Sequence, residues 1–163
     1  MADKMIWAPW RAGFVLGEKE EGCVFCNRIA QTTDSVANLI VHRGDKHVVI
    51  LNKFPYNPGH AMIVPKRHVG LLEELTDAES AEFMALTRTT VRLMKRAYRP
   101  QSLNIGMNLG RESGAGIPEH LHMHVVPRWM GDTNFMPVLG ETKVMSVPLD
   151  YVYDALRKEF ENQ

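Results

Sequence analysis

Apolar and polar positions divide the chain into short strands and two helices. Leu39 to His42 and His47 to Leu51 alternate or run apolar with β-branched residues, and Arg43-Gly44-Asp45 supplies the turn of a hairpin between them. Asn57-Pro58-Gly59 is a second turn signal, followed by a strand from His60 to Pro65. Thr76-Asp77-Ala78-Glu79 forms a capping box, and no Gly or Pro interrupts the run from Asp77 to Tyr98 before Pro100. Phe83, Met84, Thr87, Val91, Met94 and Tyr98 recur at helical spacing, so this run is predicted as a core-facing amphipathic helix. Leu103 to Leu109 reads as a strand and Gly110 to Gly116 as a loop with three glycines. A last strand covers His120 to Val126. The tail offers a strand at Lys143 to Val147 and a terminal helix from Asp150, as N-cap, through Phe160. Neighbouring strands with short connections imply an antiparallel sheet, and the class expected is α+β: about five strands, one long helix and a C-terminal helix.

At the other end, Met5 to Arg11 places two tryptophans around Pro9, which suits an arm packed on a body or on a partner chain. Gly22 to Ile29 reads as a turn opening a short helix. The expected organisation over 163 residues is one domain with an arm at 1–22, a core at 23–129 and an extension at 130–163. Nineteen basic residues balance nineteen acidic ones, so no global field draws the chain to nucleic acid or to an anionic membrane, and any phosphate site must be local. No apolar run reaches transmembrane length and the first residues lack the apolar stretch of a signal peptide. A cytoplasmic location is expected. The only cysteines, Cys23 and Cys26, form a C-x-x-C pair. In a reducing compartment such a pair points to a metal or a redox function, against the simpler reading of two thiols packed as small hydrophobes.

The chemistry concentrates in His120-Leu121-His122-Met123-His124-Val125-Val126. Alternate side chains of a strand point to opposite faces, so the three imidazoles share one face over an apolar back. At about 6.7 Å per two residues the outer pair is about 13 Å apart, too far to act on one atom. Two of them, His120 and His122, could instead chelate one catalytic zinc, since alternate strand residues can share an ion. His60, just past a turn, is expected near a substrate, whereas His42 and His47 flank a hairpin turn and are expected at the surface.

His-apolar-His-apolar-His-apolar-apolar is similar to the signature of the histidine triad (HIT) superfamily of nucleotide hydrolases and transferases. The resemblance covers Cys23 to Trp129 and includes Cys23-Val24-Phe25-Cys26, Leu51-Asn52, Pro58-Gly59-His60 with Ile63-Val64-Pro65, and Asn108 with its glycine-rich loop. Trp7 to Arg11, Pro55 to His60 and Pro127 to Phe135 resemble the bacterial diadenosine tetraphosphate phosphorylase, or ATP adenylyltransferase, branch.

That resemblance implies nucleotidyl transfer, with His122 attacking the α-phosphorus of an adenine nucleotide and His124 contacting the phosphate or the leaving oxygen. It implies Asn108 at phosphate and Asn52 at ribose, although a turn or strand-edge role competes for both. Backbone N–H groups of the loop, at Gly114 and Gly116 among others, are suited to an oxyanion because glycine permits close approach. The resemblance further implies a structural zinc held by Cys23, Cys26, His68 and His120, no organic cofactor, and a homodimer with a continuous sheet. The partners implied are an adenine dinucleotide polyphosphate and inorganic phosphate. Arg11, Lys66, Arg67 and Arg128 could also meet phosphate, and residues 130–143 could close over the substrate. Gly114-Ala115-Gly116-Ile117-Pro118-Glu119 lacks the glutamine that many hydrolases of the superfamily carry before the triad. Its loss disfavours plain hydrolysis and leaves room for phosphate as acceptor. The competing functions are hydrolysis of a dinucleotide polyphosphate or nucleoside phosphoramidate, and a regulatory module that binds nucleotide without turnover.

Overall fold

The computed structural model describes residues 20–133, 135–139 and 144–163. Residues 1–19 of the N-terminal arm, Arg11 among them, and Lys143 lie outside the described residues. Five strands, β1 (Ile40–Arg43), β2 (His47–Leu51), β3 (Ala61–Pro65), β4 (Ser102–Gly106) and β5 (Met123–Arg128), form one antiparallel sheet in the order β1-β2-β3-β5-β4. The helices are α1 (Val24–Ile29), α2 (Asp77–Tyr98), the four-residue α3 (Met136–Leu139) and α4 (Leu149–Glu161). The α+β class and the number of strands are as the sequence implies.

Register decides what the sheet presents. Met62 and Gly106 lie opposite His124 on its two neighbouring strands, so they share its face, while Ile63 and Val125 point to the other. That second face carries the helical layer: α2 packs on β2, β3 and β5, and α4 on α2 and β1. The first face receives α1, whose Phe25 ring touches both His120 and His122. Every residue of β2 and β3 is buried, because both faces of these central strands are covered.

α2 has the bounds its sequence predicts. The Thr76 hydroxyl accepts from the Glu79 N–H at 3.2 Å, the Glu79 carboxylate accepts from the Thr76 N–H at 2.9 Å, and a left-handed Arg99 ends the helix before Pro100. Its buried stripe is Phe83, Leu86, Thr87, Thr90, Leu93 and Met94, with the two threonine hydroxyls donating back to the Phe83 and Leu86 carbonyls. Met84, expected in that stripe, is 54% exposed because it lies a residue to the flank of this line.

Other expectations are corrected. The fourth strand stops at Gly106, short of Leu109. Residues 144–147 are irregular, since no strand pairs with them, and Val147 packs against the core from a loop. The terminal helix begins at Leu149 after Pro148; Asp150 is a first-turn residue whose carboxylate accepts from the Tyr151 N–H at 2.8 Å, not the N-cap. His47 is fully buried, stacked 5.0 Å from Phe83 with Nδ1 at 3.1 Å from Glu82, and His42 stacks on Phe160 at 4.6 Å. The helices cover the hairpin that the sequence leaves open.

Candidate active site

The histidine row begins before its strand. The Leu121 N–H donates to the Val69 carbonyl at 2.7 Å, extending the β3 side of the sheet, and regular pairing of β5 starts only at Met123. The imidazoles alternate with Leu121 and Met123 as the period-2 reading requires, yet they do not face open solvent. His120 is fully buried and His122 is 6% exposed. Nδ1 of His122 lies 2.8 Å from the His120 carbonyl oxygen. A carbonyl only accepts, so the proton sits on Nδ1 and the lone pair on Nε2 is free to act as a nucleophile. Burial lowers the pKa of His122 despite that hydrogen bond, which keeps the ring neutral at neutral pH. His124 stands edge-on to it, ring centres 4.8 Å apart.

Beneath His124 lies His60, buried, with its Nε2 2.9 Å from His124 Nδ1. Burial, and then the neighbouring imidazoles, push His60 down to about 3 and His124 down to about 4. His60, expected beside a substrate, lies directly under His124. Asn52 adjoins it: its Oδ1 accepts from the Phe54 N–H at 2.9 Å and its Nδ2 approaches His60 Nδ1 at 3.5 Å. These contacts hold Asn52 in the turn beside His60.

A cavity of about 420 Å³ opens over the β4–β5 edge, lined by Tyr56, Asn57, Asn104, Asn108, His124 and Arg128 among others. Gly106 opposite His124 contributes no side chain there, which keeps the cavity open. The structure thus brings Asn108 and His124 together. Gly114, with φ +88, and Gly116 stand in a separate loop with open space where a Cβ would be. Arg128 reaches the cavity already paired with Asp132 through two hydrogen bonds of 2.6 and 2.8 Å and bonded to Asn104 at 2.9 Å. Lys66 and Arg67 are structural, tied to the Gly44 carbonyl and to Glu79. Sequence reasoning missed Tyr56, whose ring lies 4.6 Å from that of His60, and Asn57, which joins the Pro127 carbonyl to Asp132. Both sit inside Pro55 to His60, where the turn signal masked their side-chain roles.

Cys23, Cys26, His68 and His120 converge, with all four donor atoms within 4.8 Å of one another. The separations are 3.2 Å for Cys23 Sγ to His120 Nδ1, 3.3 Å for Cys26 Sγ to His68 Nδ1, and 3.3 Å between the two Nδ1 atoms. Zinc bonds of about 2.0–2.3 Å in a tetrahedron place ligand atoms about 3.3–3.8 Å apart, so these residues fit the ion. His120 Nε2 donates to the Pro65 carbonyl at 2.8 Å, which leaves the Nδ1 lone pair facing the cluster. The alternative pairing of His120 with His122 on one catalytic ion does not form. His120 Nδ1 faces the cysteines, and His122 Nδ1 donates to a carbonyl.

A family model described as HIT domain matches residues 33–130, and the chain belongs to the histidine triad family. It is 50% identical over 117 residues to AP-4-A phosphorylase of Mycobacterium tuberculosis, covering 72% of this chain and 60% of that protein. The chain therefore spans about 60% of the length of these curated relatives. A further relative, the asymmetrical bis(5'-nucleosyl)-tetraphosphatase of Schizosaccharomyces pombe, is 28% identical over 97 residues, covering 60% of this chain and 53% of that one. Among solved structures, a hypothetical histidine triad nucleotide-binding protein of Sulfolobus tokodaii strain 7 superposes with a TM-score of 0.69. It is 27% identical and the match covers 86% of this chain and 93% of that one. Among the described residues no helix is long and apolar enough to cross a membrane.

Proposed function

We propose that the protein transfers an adenylyl group through His122, and that its reaction is phosphorolysis of diadenosine tetraphosphate to ATP and ADP. The observation that carries this is the fixed tautomer of His122, with Nδ1–H held by the His120 carbonyl and Nε2 bare. In the first step the Nε2 lone pair forms a bond to the α-phosphorus and the bond to the bridging oxygen breaks, so ATP departs. In the second, an oxygen of inorganic phosphate attacks the same phosphorus, the P–N bond breaks and ADP is released. His124 contacts the phosphate or the departing oxygen, Asn108 lies on the same cavity, and N–H groups at Gly114 and Gly116 are donors for the oxyanion. Asn52 reaches the ribose in this reading. The likeness to an AP-4-A phosphorylase and the absent glutamine between Gly114 and Glu119 favour phosphate over water as acceptor.

Cys23, Cys26, His68 and His120 hold a structural zinc. When bound it supplies a rigid anchor rather than chemistry on phosphate. The chain acts as one domain in the cytoplasm, as a homodimer joined along the exposed edge strand β4. Hydrolysis is the second reading, favoured by the likeness to a tetraphosphatase, because water in place of phosphate at the second step yields AMP. The test is incubation with diadenosine tetraphosphate, with and without phosphate. Phosphate-dependent ADP is expected, and none from His122→Asn, which still binds nucleotide. Phosphate-independent AMP overturns phosphorolysis, and binding without turnover makes the chain a nucleotide-binding module.

A further inference from the structure

The geometry points to His60 as a positioning residue that fixes the proton of His124 on Nε2, so that His124 faces the substrate as a neutral hydrogen-bond donor. The Phe54 N–H donates to Asn52 Oδ1 at 2.9 Å, which orients the amide and turns its NH₂ toward His60 Nδ1 at 3.5 Å. The Tyr56 N–H, which can only donate, reaches the same Nδ1 at 3.1 Å. Two donors converge on one ring nitrogen, so Nδ1 of His60 carries the lone pair and its proton is on Nε2. That Nε2–H points at His124 Nδ1, an acceptor at 2.9 Å. His124 therefore accepts at Nδ1, and its own proton sits on Nε2.

The consequence concerns the two rings at the reacting centre. His122 has its proton on Nδ1 and a bare Nε2, and His124 the reverse. A nucleophile and a donor stand side by side although both are neutral imidazoles on one strand. Each tautomer is set from behind, His122 by a backbone carbonyl and His124 by a side chain. Only the second can be altered by substitution. The loop delivers its donors because Asn57-Pro58-Gly59 turns the chain back, with the His60 N–H bonded to the Asn57 carbonyl at 3.1 Å and the Asn52 N–H to the His60 carbonyl at 2.8 Å. The Tyr56 ring covers both imidazoles, 4.6 Å from His60 and 5.8 Å from His124.

This assignment of His124 rests on the proposed use of the histidine row for its catalytic meaning, but not for its physical test. Long-range proton–nitrogen NMR of the histidine side chains at pH 7.5 reports which ring nitrogen carries hydrogen. In the wild-type protein His124 and His60 should both show a bare Nδ1 and a protonated Nε2. His60→Glu replaces the donor by a carboxylate that only accepts, and should move the His124 proton to Nδ1. Turnover of diadenosine tetraphosphate should follow: His60→Met and His60→Glu lower kcat by at least about tenfold with KM changed less than about threefold, the pattern of a lost transition-state donor. His60→Gln, whose amide can still donate to His124, should stay well above both. A wild-type His124 protonated on Nδ1 overturns the inference, as does a tautomer unmoved by His60→Glu. Absent turnover with the tautomers as stated counts against the proposed reaction and leaves the assignment of the proton standing.

Discussion

Burial of His60 ties one residue to the stability of the whole protein. Its pKa is pushed down to about 3, first by burial and then by the neighbouring imidazoles, against about 6.5 in an unfolded chain. Between those values the unfolded chain binds the proton that the native state refuses, so the contribution of His60 is complete above pH 6.5 and is lost progressively as pH falls toward 3. At pH 5 the loss is about 2 kcal/mol, from about 1.4 kcal/mol per pH unit. Urea unfolding at pH 7.5 and pH 5 should therefore show the wild type losing about 2 kcal/mol more than His60→Gln; equal losses would contradict the burial of a neutral ring. At this scale period-2 alternation placed His120, His122 and His124 in one row, and their separate roles came from the family resemblance. The sequence did not show the hydrogen-bond chain that joins Asn52 to His60 and His60 to His124, because turn signals do not reveal side-chain partners. His47 was lost for a related reason: a polar residue beside a turn reads as exposed until Phe83 and Glu82 of a distant helix close over it.

The loop from Asn52 to His60 depends on a glycine as well as on its own hydrogen bonds. Gly59 has φ +80, and a Cβ there would lie 2.6 Å from the Tyr98 ring. Tyr98 cannot swing away without cost, since its hydroxyl donates to the Val152 carbonyl and its ring is largely buried. Gly59→Ala combines a left-handed conformation that a side chain disfavours with a clash against a fixed ring. The expected cost is about 2–3 kcal/mol, or about 5–10 °C in Tm for a chain of this size. It should also weaken turnover by displacing His60. A Tm within a degree of wild type in differential scanning fluorimetry would show that Tyr98 yields freely. The elements themselves were read well where the signal is local. A capping box with an uninterrupted apolar stripe fixed both ends of α2. Residues 144–147 failed as a strand because alternation cannot say whether a neighbouring edge is free, and Asp150 failed as a cap because Pro148 caps the helix two residues earlier.

Across the whole molecule, the cluster of Cys23, Cys26, His68 and His120 joins three distant parts of the chain. Cys23 and Cys26 lie at the start of α1, His68 follows β3, and His120 precedes β5. The local pair was legible from its spacing; the histidines that complete it were not, since four ligands 97 residues apart meet only after folding, and the choice of His68 and His120 came from resemblance. The cluster also bears on the site. The carbonyl that holds the His122 tautomer belongs to His120, and Phe25 of α1 lies against both rings. Zinc binding at such sites contributes about 10 kcal/mol or more to folding at neutral pH, so an ion bound here would order the segment that carries His122. Protein purified without chelator or histidine tag should contain about one zinc per chain by elemental analysis. Cys23→Ser should lower thermal stability sharply, because it leaves His120 Nδ1 and Cys26 without their shared partner, and should reduce turnover through misplacement of His122 while leaving the dependence on phosphate unchanged. Zinc well below half an equivalent, together with Cys23→Ser as stable as wild type, would reduce the four residues to a packed cluster of thiols and imidazoles.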